Sequence, residues 1–165
     1  MRGLGTLTLS TTVLFLAGVL TTAEPLVAHA QSTSSAGMWK INLAKSKFSP
    51  GPPPQSSTLS FQVQGKALIA TVEGVNAQGN PTKVVSGPYL YDGKSYPVTG
   101  AAAYDAASYK TISDSTDEII RTKAGKVVQT VREVLSEDGR TLTFTIAGTN
   151  ANGQKIDNVV VYDKQ

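Results

Sequence analysis

The side chains that could do chemistry are few. The single histidine, His29, lies near the N-terminus, and the chain has no cysteine. Beyond residue 30 this removes Ser-His-Asp and Cys-His nucleophilic machinery, thiolate sites and most zinc sites. Carboxylates remain, and a pair of them can act as acid and base when their surroundings split their pKa values. Asp92, Asp114, Asp117, Glu137 and Asp138 lie in turn sequences and read as turn formers carrying solvated charge. No twelve-residue loop alternates oxygen ligands as a calcium site requires, and no Gly-rich phosphate loop opens a helix. The expectation is therefore a protein with no catalytic residues, no metal site and no cofactor. An enzyme would need two carboxylates, or a carboxylate and a lysine, to converge in a cleft.

Binding chemistry is better represented. Arg121 and Arg132 each stand mid-strand among apolar residues. Either could face an interior and meet an anionic ligand or stack on Trp39. Either could instead face outward and pair across strands with Glu118 or Glu133. Around Arg132 the apolar residues occupy both faces of the strand, so alternation does not decide between these readings. Phe61, Tyr89, Tyr91, Tyr96, Tyr109, Phe144 and Tyr162 are aromatics that could line a cavity or fill a core. The candidate ligand-binding set is Trp39, Phe61, Tyr89, Tyr91, Tyr109, Arg121, Arg132, Phe144 and Tyr162.

Short strands must position these residues. Residues 58–64 alternate, with Leu59, Phe61 and Val63 on one face. Residues 67–73 place Leu68, Ala70 and Val72 together, and 141–147 do the same with Leu142, Phe144 and Ile146. Further strands are expected at 37–42, 81–91, 95–99, 108–113, 118–122, 127–135 and 156–163. Asp92-Gly93 is a two-residue hairpin signal. Residues 43–48 could hold one helical turn, and the Pro-rich stretch 49–54 is an extended connector.

A turn sequence occurs twice. Residues 66–79 return as 140–153, with Leu68/Leu142, Thr71/Thr145, Gly74/Gly148, Asn76/Asn150, Ala77/Ala151 and Gly79/Gly153 identical. Each copy reads as a strand, a type I turn opened by Asn and closed by a left-handed Gly, and a return strand. Duplication and convergence on one hairpin turn both account for it. Nearly every connection joins sequence neighbours, and a long meander leaves two open edges unless it closes. The fold expected is all-β, a single up-and-down antiparallel β-barrel of about 8–10 short strands, with Trp39 near one end.

Residues 1–30 read as a cleaved signal peptide. Arg2 is followed by an uncharged, mostly apolar run over 7–20, and Ala28-His29-Ala30 is an A-x-A site that predicts a cut after Ala30. Residues 31–36 are a Ser-rich flexible linker, and 37–165 form the barrel domain. A periplasmic or secreted location follows, with no membrane span after cleavage. The net charge of +3 is spread along the chain. No basic stripe marks a nucleic-acid partner, and a monomer is expected.

The chain resembles the lipocalin-like (calycin) β-barrels, and most of all the small exported bacterial proteins of that kind. The resemblance is carried by Gly37-Met38-Trp39-Lys40-Ile41-Asn42, Phe48-Ser49-Pro50-Gly51-Pro52, Asp92-Gly93-Lys94-Ser95-Tyr96-Pro97-Val98 and the two Asn-Ala-x-Gly turns. A more distant resemblance, to fatty-acid-binding proteins, rests on the ending Val159-Val160-Val161-Tyr162-Asp163-Lys164. Their last strand carries Arg-x-Tyr to grip a carboxylate; here Tyr162 matches and Val160 stands at the Arg position. The family implies a small, mostly apolar molecule bound in the lumen. The alternative is a protein-binding barrel, a periplasmic protease inhibitor or envelope assembly partner, that uses 31–36 as its reactive arm.

Overall fold

A computed structural model describes residues 35–165. The segment expected to be a signal peptide and the first four residues of the expected linker lie outside the described residues. Ten strands follow in order: β1 Gly37–Ile41, β2 Ser56–Gln64, β3 Ala67–Val75, β4 Pro81–Tyr89, β5 Asp92–Thr99, β6 Ala106–Ser113, β7 Thr116–Lys123, β8 Lys126–Leu135, β9 Thr141–Thr149 and β10 Lys155–Lys164. Each pairs antiparallel with its sequence neighbour, and β1 also pairs with β10, so the sheet closes on itself. This is the expected all-β up-and-down barrel. Closure removes both exposed edges that a ten-strand meander would otherwise present.

Alternation sets the interior. Ser57, Leu59 and Phe61 of β2, Leu142 and Phe144 of β9, and Val160 and Tyr162 of β10 are buried. Their outward neighbours stay in contact with water or lie under a covering segment. Val161, of opposite parity, is buried because the β1–β2 connector lies along β10. Asn42 donates its backbone N–H to the Val161 carbonyl, the Ser46 hydroxyl accepts from the Val161 N–H, and Lys47 and Val159 exchange two backbone bonds. Leu43 to Lys45 thus make a turn rather than a helix, after which the chain resumes strand-like pairing. β1 is too short to pair the whole of β10, and this connector pairs the remainder.

The repeated turns form as the residues dictate. The Asn76 side-chain oxygen accepts from the N–H groups of Gln78 and Asn80, and that of Asn150 accepts from Asn152 and Gln154. Gly79 and Gly153 close the turns at φ 86° and 75°. Asp92-Gly93 behaves differently. β4 ends at Tyr89, so the chain turns before Asp92, which opens β5. There Asp92 accepts from the Lys94 N–H, and Gly93 at φ 76° bulges the pairing with β6. β4 and β5 share only two paired positions, Val85↔Thr99 and Ser86↔Val98. Pro88 near the end of β4 has no N–H to donate, and this is the least tightly paired seam of the wall.

One end of the barrel is plugged. Trp39 is fully buried and donates its indole N–H to the Ser35 carbonyl at 2.9 Å. The Lys164 ammonium stands 5.2 Å from the centre of the indole ring. Ser35, within the stretch expected to be a flexible linker, is itself buried as Trp39's partner.

Candidate functional site

The barrel is not completely filled. A cavity of about 180 Å³ lies among the inward side chains of β2–β4 and β6–β10. Its apolar wall includes Leu59, Phe61, Val72, Ile119, Phe144 and Val160. Its polar groups are Ser86, Tyr89, Tyr104, Tyr109, Arg121, Glu133 and Tyr162. Engineered apolar cavities of about 150 Å³ hold a single benzene-sized molecule. The space here therefore suits a ligand of one or two rings.

Aromatic rings fix the cavity's shape. Tyr89, the last residue of β4, stacks on Tyr109 of β6 with ring centres 3.7 Å apart and planes 12° apart. Tyr91 meets both edge-on, at 5.7 Å and 6.1 Å. On the opposite part of the wall Phe144 and Tyr162 meet edge-to-face at 5.8 Å. The Tyr162 and Ser57 hydroxyls are 2.8 Å apart and hydrogen-bonded. Each contact holds a large side chain in one rotamer, so the walls stand pre-formed.

Arg121 is the cation of the lumen. Its Nη1 donates to Gln129 Oε1 at 3.0 Å, and its guanidinium stacks over Tyr104 at 4.5 Å from the ring centre. Gln129 is anchored in turn by donating to the Thr149 carbonyl at 2.9 Å. Arg121 is thus aimed by its neighbours rather than neutralised by a carboxylate.

Two acids face inward beside it. Asp117 of β7 and Glu133 of β8 are directly opposed across the strand pair, and both are buried. Neither Asp117 oxygen has a hydrogen-bond partner, nor does Oε1 of Glu133. The hydroxyls of Thr111 and Tyr91 lie close enough to favour the Asp117 anion without forming a hydrogen bond to it. Burial pushes the Glu133 carboxyl up to about 8, the nearby Asp117 charge adds to the rise, and Arg121 opposes it. Burial also raises Asp117, to about 6. Burial raises Tyr109 to about 12, opposed by Ser86 and Arg121. At pH 7 Glu133 is then mostly a neutral acid, while Asp117 is mostly an anion.

Six of the nine residues singled out from sequence meet at this cavity: Phe61, Tyr89, Tyr109, Arg121, Phe144 and Tyr162. Tyr91 stands behind Tyr89 and Tyr109 and does not line it. Trp39 belongs to the plug. Arg132 faces outward, opposite Glu118 in register, beside Thr130 and Thr145. The reason is alternation: Gln129, Val131, Glu133 and Leu135 take the inner face of β8, which leaves Arg132 outside. Two expectations are overturned. Asp117 is not a solvated turn charge, because β7 starts at Thr116 and gives Asp117 the inward parity of Ile119 and Arg121. Glu133 is not an outward partner for an arginine. Tyr104 and Gln129 were also missed: Tyr104 lies between β5 and β6, and the apolar residues on both faces of β8 conceal the parity of Gln129.

No protein-family model matches the chain, and no curated protein matches it in sequence. Among solved structures it is similar to a redesigned β-barrel, mFAP1, bound to DFHBI. The TM-score is 0.43 and the identity 12%, over 82% of this chain and 99% of that one.

Proposed function

We propose that this is an exported, non-enzymatic barrel of the lipocalin-like kind that binds one compact, mostly apolar molecule in its lumen. The observation that carries the reading is the cavity of about 180 Å³, walled by rings that are held in place by one another. A filled barrel would serve a protein-binding role equally well; a preformed cavity serves a small ligand. Its size suits a ring system rather than a long acyl chain, in keeping with Val160 at the position where fatty-acid-binding proteins carry Arg.

The buried acid pair favours a second reading, catalysis by carboxylates. Asp117 and Glu133 are cross-strand neighbours on one wall, with Cβ atoms about 5 Å apart as such pairs are. Of the two, only Glu133 reaches the cavity. A catalytic pair must address its substrate with both groups. The arrangement therefore serves recognition better than turnover.

The test is titration with a compact fluorescent apolar probe, comparing the native chain with Ala70→Phe, which projects a ring into the cavity. Saturable one-to-one binding that weakens by about tenfold or more in the variant is expected. Equal binding by both chains, or none by the native chain, contradicts the proposal.

A further inference from the structure

We propose that the lumen selects a ligand bearing a basic nitrogen, an aryl or alicyclic amine whose ammonium group docks on the Glu133 carboxylate. The inference rests on the lumenal-binding reading and names its ligand class.

Three observations converge. First, Glu133 is buried, lines the cavity and has an oxygen with no hydrogen-bond partner in the protein. A buried acceptor left open is costly, and the outlay is recovered when a ligand donates to it. Second, the charges in the lumen are unequal. Asp117 and Glu133 face inward from β7 and β8, and among the described residues Arg121 of β7 is the one cation that lines the cavity. The remaining titratable groups around them are phenols: Tyr89 of β4, Tyr91, Tyr104, Tyr109 of β6 and Tyr162 of β10. With both acids ionised the lumen is one positive charge short. In the ligand-free protein a proton on Glu133 supplies it; burial, with the Asp117 charge adding to it, holds that carboxyl up to about 8. Third, the stacked Tyr89–Tyr109 pair and Phe144 line the same space. Aromatic walls around an acidic floor are what an organic cation needs, since the ring quadrupole attracts the charge and the ring surface takes the apolar body. Arg121 acts on Glu133 through space but forms no ion pair with it, because Gln129 and Tyr104 hold its guanidinium.

The binding step is an exchange of cations. An ammonium ion enters, Glu133 gives up its proton to solvent, and the net charge of the lumen is unchanged. Affinity should therefore rise by about ten- to fiftyfold from pH 6 to pH 8, with a proton released per amine bound below pH 8.

The experiment is calorimetric titration of residues 31–165 with 2-phenylethylamine, 2-phenylethanol and 3-phenylpropanoate, in buffers of differing ionisation enthalpy. The expected result has three parts: the amine binds at least about tenfold more tightly than the alcohol or the acid, protons are released, and Glu133→Gln abolishes both effects. Tight binding of the alcohol or the acid with no preference for the amine overturns this inference and leaves the lumenal reading standing. Binding of none of the three, together with no uptake of the fluorescent probe, overturns both. Displacement of the amine by sodium or potassium chloride at matched ionic strength, relative to choline chloride, would assign the acid pair to an inorganic cation and also overturns it. Proton release and pH dependence are read on the native chain, so the proposal stays testable if Glu133→Gln does not fold.

Discussion

Glu133 is mostly neutral in the folded protein at pH 7 because burial strips its carboxyl of water and leaves Oε1 without a hydrogen-bond partner. Its carboxyl titrates at about 8 against an ordinary 4.5, and that of Asp117 at about 6 against 3.8. Between these values the native state holds protons that the unfolded chain has released. Unfolding then sheds protons, so the contribution of these two groups to stability is greatest below about pH 4 and falls as pH rises to about 8. Urea denaturation across pH 4–8 should show this decline, and Glu133→Gln should remove most of its upper part. At pH 8 the variant should melt about 4 °C or more above the native chain. A flat profile would show that Glu133 reaches water. At this scale the sequence was only partly legible. Phe61, Phe144 and Tyr162 could be placed because apolar alternation in β2 and β9, and the ending of β10, gave their parity. Glu133 could not, because Val128 and Val134 on the outer face of β8 match Val131 and Leu135 on the inner one. A barrel wall with apolar residues on both faces conceals which polar residue turns inward.

The elements were more legible, because turn chemistry is local. Asn76 and Asn150 organise their turns through their own side chains, and that is a property of a few adjacent residues. The role of the paired glycines before those turns is a tertiary matter. A Cβ at Gly74 would be driven into the Ser56 carbonyl of β2, and one at Gly148 into the Val128 carbonyl of β8. Gly148 also sits at φ 143°, where a side chain is strained. Gly74→Ala and Gly148→Ala should each cost about 1–3 kcal/mol or more in urea denaturation. Gly65→Asn, at φ 62° with open space around it, should stay within about 1 kcal/mol. Equal costs for all three would show that the close strand approach is not what these glycines serve. Asp92-Gly93 was misread for the same reason. A hairpin signal gives a turn's chemistry but not its partner strand, and here it makes a bulge in β5 against β6.

For the whole molecule, ten short strands with neighbour-to-neighbour connections leave closure as the way to pair every edge, and the barrel follows from that constraint. Closure does not fix how full the barrel is. That depends on the volumes of inward side chains drawn from strands far apart in sequence, and on small residues such as Ala70 and Ser86 that leave space beside large ones. The lumenal cavity and its acid pair are therefore properties of the assembled wall. The central claim, that this space holds a compact ligand, is tested most directly by native mass spectrometry of the protein purified from the cells that make it, with the adduct identified after denaturation. The account predicts a one-to-one adduct of one- or two-ring size, lost on denaturation and absent from Ala70→Phe. A bare polypeptide mass from native cells, with no uptake of added compact apolar probes, would contradict it.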